Sequence, residues 1–159
     1  MTRRPTWRAE GGETLVELMV TIAILGIAVV AVVGGIAASI KISDYHRKQA
    51  NSLVFARAYA EAVEKSIAAT PTGYVACPTA PTYSSAYSLP AAATSTYQAD
   101  AATVEYWNSA TSTFGACPGT GDQGVQRVTV RVHSLDGRAS EQLQVIIRRP
   151  CRTSEALCT

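Results

Sequence analysis

The sequence predicts an α+β chain: one long N-terminal helix whose C-terminal half packs on a small antiparallel β-sheet. Two observations predict this. An apolar run from Leu18 to Ile40, 23 residues without a charge, passes into an amphipathic helical pattern that continues to Ala69. Further on, two segments ending at His133 and Ile147 alternate apolar and polar residues around a turn.

The helix is justified first. At about 1.5 Å rise per residue the apolar run covers the roughly 30 Å hydrocarbon core of a bilayer. After Lys41, the residues Ile42, Tyr45, Leu53, Ala56, Ala60, Val63 and Ile67 recur at helical spacing and form one face. Arg47, Lys48, Arg57, Glu61, Glu64 and Lys65 lie largely off that face. Pro71 and Gly73 supply a stop. A helix from Thr14 to Ala69 is on the order of 80 Å long, too long to be buried whole in a chain of this size. Its first half therefore needs lipid or other chains around it. Gly26, Gly34 and Gly35 interrupt that half. Each costs up to about 1 kcal/mol of helix propensity relative to alanine. They serve either close packing between helices or a soft segment that unwinds.

The rest of the chain is less uniform. Residues 79–103 are rich in Ala, Ser, Thr, Pro and Tyr and read as a surface loop with at most a short strand or turn. Tyr83, Tyr87 and Tyr97 fit packing of this loop onto the domain better than an adhesive surface. Val104 to Trp107 predicts a short strand. Val128, Val130 and Val132 share one face of a strand over 125–133, with Thr129, Arg131 and His133 on the other. Leu143, Val145 and Ile147 repeat the pattern, and Leu135-Asp136-Gly137-Arg138 supplies the turn of a hairpin. The apolar face of this hairpin is expected to pack on Leu53, Ala56, Ala60, Val63 and Ile67.

Length and charge narrow the function. The 159 residues carry a formal charge of +2, and the basic excess lies in the first twelve residues, with Arg3, Arg4 and Arg8 against Glu10. Without them the chain has 11 basic and 11 acidic residues, so it gives no support for nucleic-acid binding. Cys77, Cys117, Cys151 and Cys158 all follow the helix. An even count suits an oxidising compartment and two disulfides, with Cys77–Cys117 and Cys151–Cys158 the favoured pairing of the three available. A zinc site is disfavoured: there is no Cys-x-x-Cys pair, and the only histidines are His46 and His133. Asp100, Asp122 and Asp136 form no recognisable calcium loop, and Gly119-Thr120-Gly121-Asp122 is a turn, not a phosphate loop. No catalytic constellation emerges. The expectation is a non-enzyme without cofactor or metal.

Glu17 is the exception that carries meaning. It opens the apolar run, and a carboxylate kept there at such cost implies a partner and a purpose. A plain anchor helix explains the run but neither Glu17 nor the Gly-Glu-Thr-Leu box before it. Gly12, Thr14, Leu15, Glu17, Leu18, Met19 and Gly26 together resemble the N-terminus of a type IV prepilin, the precursor of a pilus or pseudopilus subunit. The resemblance spans the first third of the chain. It implies a pilin-like fold, with residues 1–12 as leader peptide, 13–40 as membrane and filament-core half of the helix, 41–70 as its amphipathic half and 71–159 as a disulfide-bonded β head. It implies cleavage by a prepilin peptidase between Gly12 and Glu13, N-methylation of Glu13, and assembly in which Glu17 pairs with the N-terminal amine of a neighbouring subunit. The partners implied are other pilin subunits in a homo- or hetero-polymer, the peptidase, an assembly platform protein and ATPase, and membrane lipid before assembly. The leader would face the cytoplasm, with the rest passing from the plasma membrane to an extracellular filament. The family most often has phenylalanine after the cut, and this chain has Glu13. The alternatives within this class are a type II secretion pseudopilin and a minor DNA-uptake or adhesive pilin.

Overall fold

The computed structural model describes residues 13–69, 73–77, 82–119 and 121–150. The expected cleavage residue Gly12 and the expected Cys151–Cys158 pair lie outside these. A single helix, α1, runs from Glu13 to Ala69. Five strands follow: β1 (Tyr97–Ala99), β2 (Thr103–Asn108), β3 (Thr113–Gly115), β4 (Val125–Ser134) and β5 (Ser140–Arg148). This is the α+β, pilin-like arrangement of one long helix and a small antiparallel sheet. The chain divides into two compact units at Asp44.

Within the unit that begins at Tyr45, β4 organises the sheet. It pairs with β5 along one edge, from Val125↔Arg148 to His133↔Ser140. The other edge is shared by β2 and β1, both antiparallel to β4. β1 and β2 are in effect one strand interrupted by an extra residue. Ala99 pairs with Val132 and Thr103 with Thr129, so four steps on one side face three on the other. This is the geometry of a β-bulge. Ala102 is buried at the interruption, and its N–H finds the Ser84 hydroxyl (3.0 Å). β3 extends the sheet beyond β2, with Phe114 edge-to-face against Trp107.

One face of the sheet meets the helix. Val128, Val130 and Val132 are fully buried, and they share a core with Ala56, Tyr59, Ala60, Val63 and Ile67 of α1. The alternation in the sequence fixes this: every second residue of β4 points inward, from Gln126 to Ser134. Tyr83 and Tyr97 are buried, and Tyr87 stacks on Tyr59 at 5.2 Å, so the tyrosines pack the loop onto the domain. The helix face differs at its start. Ile42 and Tyr45 are exposed, and burial begins at Ser52. The core on α1 therefore runs from Ser52 to Ile67.

The hairpin turn is built as its residues demand. Gly137 adopts a positive φ of 71° and donates its N–H to the Ser134 carbonyl (2.9 Å). Lys48 reaches Asp136 at 2.6 Å and tethers the turn to the helix. That hydrogen-bonded ammonium holds the Asp136 carboxyl well below the usual carboxylate range. Gly73 lies so close to the last turns of α1 that a Cβ on it would collide with the Ser66 carbonyl oxygen.

Beyond Gly73 lies a polar cluster that links three segments. Gln126, fully buried, donates from Nε2 to the Val75 carbonyl (2.9 Å) and to Asp122 Oδ2 (2.6 Å). The Tyr83 hydroxyl donates to Gln126 Oε1 (3.0 Å), and Tyr74 donates to Asp122 Oδ2 (2.8 Å). Burial, then the Asp122 carboxylate, push the Tyr74 phenol far above its ordinary value, so it stays a neutral donor. Next to this cluster a disulfide joins Cys77 to Cys117, the first of the two expected pairs, across a Cα–Cα distance of 5.6 Å and 40 residues of chain. A loop of that length restricts the unfolded chain by about 4 kcal/mol in the chain-entropy treatment. Replacing both cysteines with serine should therefore lower the stability of the unit that begins at Tyr45 by roughly 3–4 kcal/mol, read from denaturant unfolding followed with and without the disulfide.

Candidate functional site

The described residues of the first unit form one bare helix. Leu, Ile, Val and Ala residues favour or tolerate helix and carry no competing polar groups, so the segment forms a helix readily. Its large apolar side chains are exposed on every side, from 51% at Val20 to 73% at Val30. Fifteen such residues lie between Leu15 and Ile40. At about 1.5–3 kcal/mol for burying each, tens of kcal/mol depend on something other than this chain covering them. A helix apolar all round belongs in lipid or among other helices. The helix is long and apolar enough to cross a membrane, and none of its apolar stretch is buried within the chain.

Glu17 stands one turn inside the helix start, exposed with the residues around it. One turn further on, Thr21 hides its hydroxyl by donating to the Glu17 carbonyl at 2.7 Å. Among residues 15–40 the Glu17 carboxylate is the charged group left to be satisfied from outside. Glu13 is the first residue of α1, so the residue after the expected cut opens the helix and Glu17 follows four positions later. At i, i+4 the two positions share one helix face.

The three glycines answer a specific question. A Cβ added to Gly26, Gly34 or Gly35 would meet nothing within 4 Å. Packing inside the chain therefore does not require them, yet each weakens the helix by about 1 kcal/mol. Their reason lies in contacts or conformations beyond the isolated chain. Around Gly26 the missing side chain leaves a shallow apolar dent walled by Ile22, Ala23, Ile27 and Val30.

The other candidates of the sequence are dispersed. Asp122 belongs to the Tyr74–Gln126 cluster, Asp136 to Lys48, and Asp100 lies 3.3 Å from His133 and 3.7 Å from Arg131. Among the described residues no three potential metal ligands come together. Gly121 closes a turn by donating to the Pro118 carbonyl (2.8 Å). What sequence reasoning missed is Gln126. Its polar side chain was no sign of an inward position, although it stands two residues before Val128 and keeps the same parity.

Residues 7–40 match the family described as Prokaryotic N-terminal methylation motif, the signature of type IV pilin-like and pseudopilin precursors. The match covers the stretch around Glu17 and the bare apolar helix, and it ends before the head. Families with this motif are structural subunits, handled by prepilin peptidase and assembled into polymers. Neither a curated protein nor a solved structure matches the chain.

Proposed function

We propose that the chain is the precursor of a structural subunit of a type IV pilus. It enters the plasma membrane with residues 1–12 in the cytoplasm. A prepilin peptidase cuts between Gly12 and Glu13 and methylates the amine of Glu13. A platform protein and its ATPase then move the subunit from the bilayer into a filament, where the apolar half of α1 packs against its counterparts. Glu17 pairs with the amine of a neighbouring Glu13, which aligns the incoming subunit. Gly26, Gly34 and Gly35 are the soft points at which the helix yields as it leaves lipid.

One observation carries this reading: an apolar helix half that no described residue covers, with Glu17 at its start inside a methylation motif. A solvated helix would not keep that surface, and a plain anchor would not keep that acid. The intact mass of the subunit purified from its native membranes tests it. The expected species lacks the first twelve residues and carries one methyl group on Glu13. A subunit that keeps residues 1–12 in cells with an active peptidase would overturn the proposal.

A further inference from the structure

The β4–β5 turn lies at the end of its unit from which the chain leads back to the apolar run. Lys48 touches Asp136 of the turn, and Ile67 lines one groove with Ile147. α1 rises about 28 Å from Lys48 to Ile67, and β5 covers about 24 Å from Ser140 to Ile147. The hairpin therefore runs along α1, with its turn at the Tyr45 end. The β2–β3 turn is at the other end, because Tyr106 pairs with Gln126 near the start of β4 and Asn108 lies beyond it. Lys48 follows Ile40, the last residue of the apolar run, by eight residues. That is about 12 Å of helix, and no more than about 28 Å of chain whatever its path. The headgroup layer outside a hydrocarbon core takes up about 5–8 Å of this. A long cationic side chain spans the rest.

Charge is concentrated at this end. Residues 45–150 hold nine basic and seven acidic side chains. Arg47, Lys48 and Arg138 stand here against Asp136, so the other six basic and six acidic residues cancel and the excess of two positive charges falls at the turn. Lys41 and Asp44, just before it in the chain, also cancel. Leu135 is 54% exposed, Tyr45 is 43% exposed, and Arg47 and Arg138 are exposed as well. An exposed leucine alone has no meaning. A leucine, a tyrosine and a cationic excess within reach of a bilayer match a membrane interface, where aromatic rings sit at headgroup level and cations meet lipid phosphates. We infer that the β4–β5 turn binds anionic phospholipid headgroups while the subunit stands in the membrane. Leu135 enters the headgroup layer, and Arg138 and Arg47 meet phosphates. This rests on the reading that the apolar half of α1 enters a bilayer. Each cation near an anionic surface is worth about fivefold in binding, so two net charges give roughly thirtyfold. That holds the head at the surface and still releases it when the subunit leaves lipid for another site.

The test uses the full chain reconstituted into vesicles of phosphatidylcholine alone or of an equal mixture with phosphatidylglycerol. Flotation first shows whether the chain enters the bilayer. An apolar fluorescent amino acid then replaces Leu135, or Thr111 in the exposed β2–β3 turn at the other end of the sheet. A quencher carried on the lipid headgroup reads contact with the surface. In the mixed vesicles the probe at 135 is expected to be quenched and the probe at 111 to be left bright. Adding Arg138→Gln should lower the ratio of docked to free turn about fivefold, the effect of one cation near an anionic surface. A chain that does not float with the vesicles overturns the membrane reading and this inference with it. A chain that floats, with the probe at 135 quenched no more than the probe at 111, overturns the inference alone. So does equal quenching at 135 in both kinds of vesicle, or quenching unmoved by Arg138→Gln, the results expected if apolar contact alone brings the turn to the surface.

Discussion

Replacing Gly12 with tryptophan leaves the full-length precursor in the membrane and abolishes filaments. The peptide bond proposed to be cut follows Gly12, and a glycine there lets the backbone approach an enzyme surface with no Cβ in the way. Tryptophan adds one of the largest side chains at that point and changes nothing in the head, which lies far along the sequence. The precursor should therefore reach the membrane, fold, and form its Cys77–Cys117 disulfide, yet carry neither a free Glu13 amine nor a methyl group. On the proposed pairing, a subunit without that amine has nothing to offer a neighbour's Glu17. Gel mobility and intact mass read the first effect, and electron microscopy of the cells reads the second. Mature subunits at the normal level from the Gly12→Trp gene would remove the cleavage site from the position assigned to it.

How much of this was legible beforehand depends on what signals each element carries. The long helix and the β4–β5 hairpin were readable because their periodicity is strong. Val128, Val130 and Val132 alternate with polar residues, and Asp136-Gly137 marks the turn that the structure forms. The helix-facing side of the sheet reads correctly from those residues alone. Other features leave weaker traces. β1 and β3 are three residues each, and β1 sits in an Ala- and Thr-rich stretch without alternation. β1 exists because Tyr97 packs on Phe55 and hydrogen-bonds Asn51 of α1, contacts that no local pattern announces. The buried Gln126 is readable only once Tyr83, Val75 and Asp122 are seen to converge on it. Tyr59 was hidden among alanines, and it became the largest side chain of the helix face to be buried. In the first unit the opposite holds. Its meaning is clear in the sequence, through Glu17 and the motif around it, and the structure adds chiefly that no described residue covers that helix.

Glu17→Ala should be processed normally and fail to assemble. The head is a compact unit beginning at Tyr45, so its stability does not depend on residue 17. On the proposed pairing, what is lost is a charge pair in an apolar filament interior. Removing one partner of a buried pair costs about 3–5 kcal/mol, because the other is left charged and unmatched. At the lower figure, adding a subunit becomes roughly a hundred times less favourable, enough to empty the cell surface of filaments. Comparing Glu17→Gln separates charge from shape. Glutamine keeps the size and a hydrogen-bond acceptor, so filaments from Glu17→Gln would assign the role to hydrogen bonding and not to charge. Glu13→Ala bears on the same pair from the other side. The Glu13 carboxylate sits beside the amine that Glu17 is proposed to hold, and in water-poor surroundings the two acids compete for one cation. Removing it should leave processing intact and strengthen the pairing, so filaments from Glu13→Ala should resist dissociation at high salt better than those of the unaltered chain. Abundant normal filaments from Glu17→Ala would refute the pairing, whatever Glu13→Ala does. Loss of filaments from Glu13→Ala, with Glu17 in place and the cut made, would instead assign the aligning role to the residue that the cut exposes.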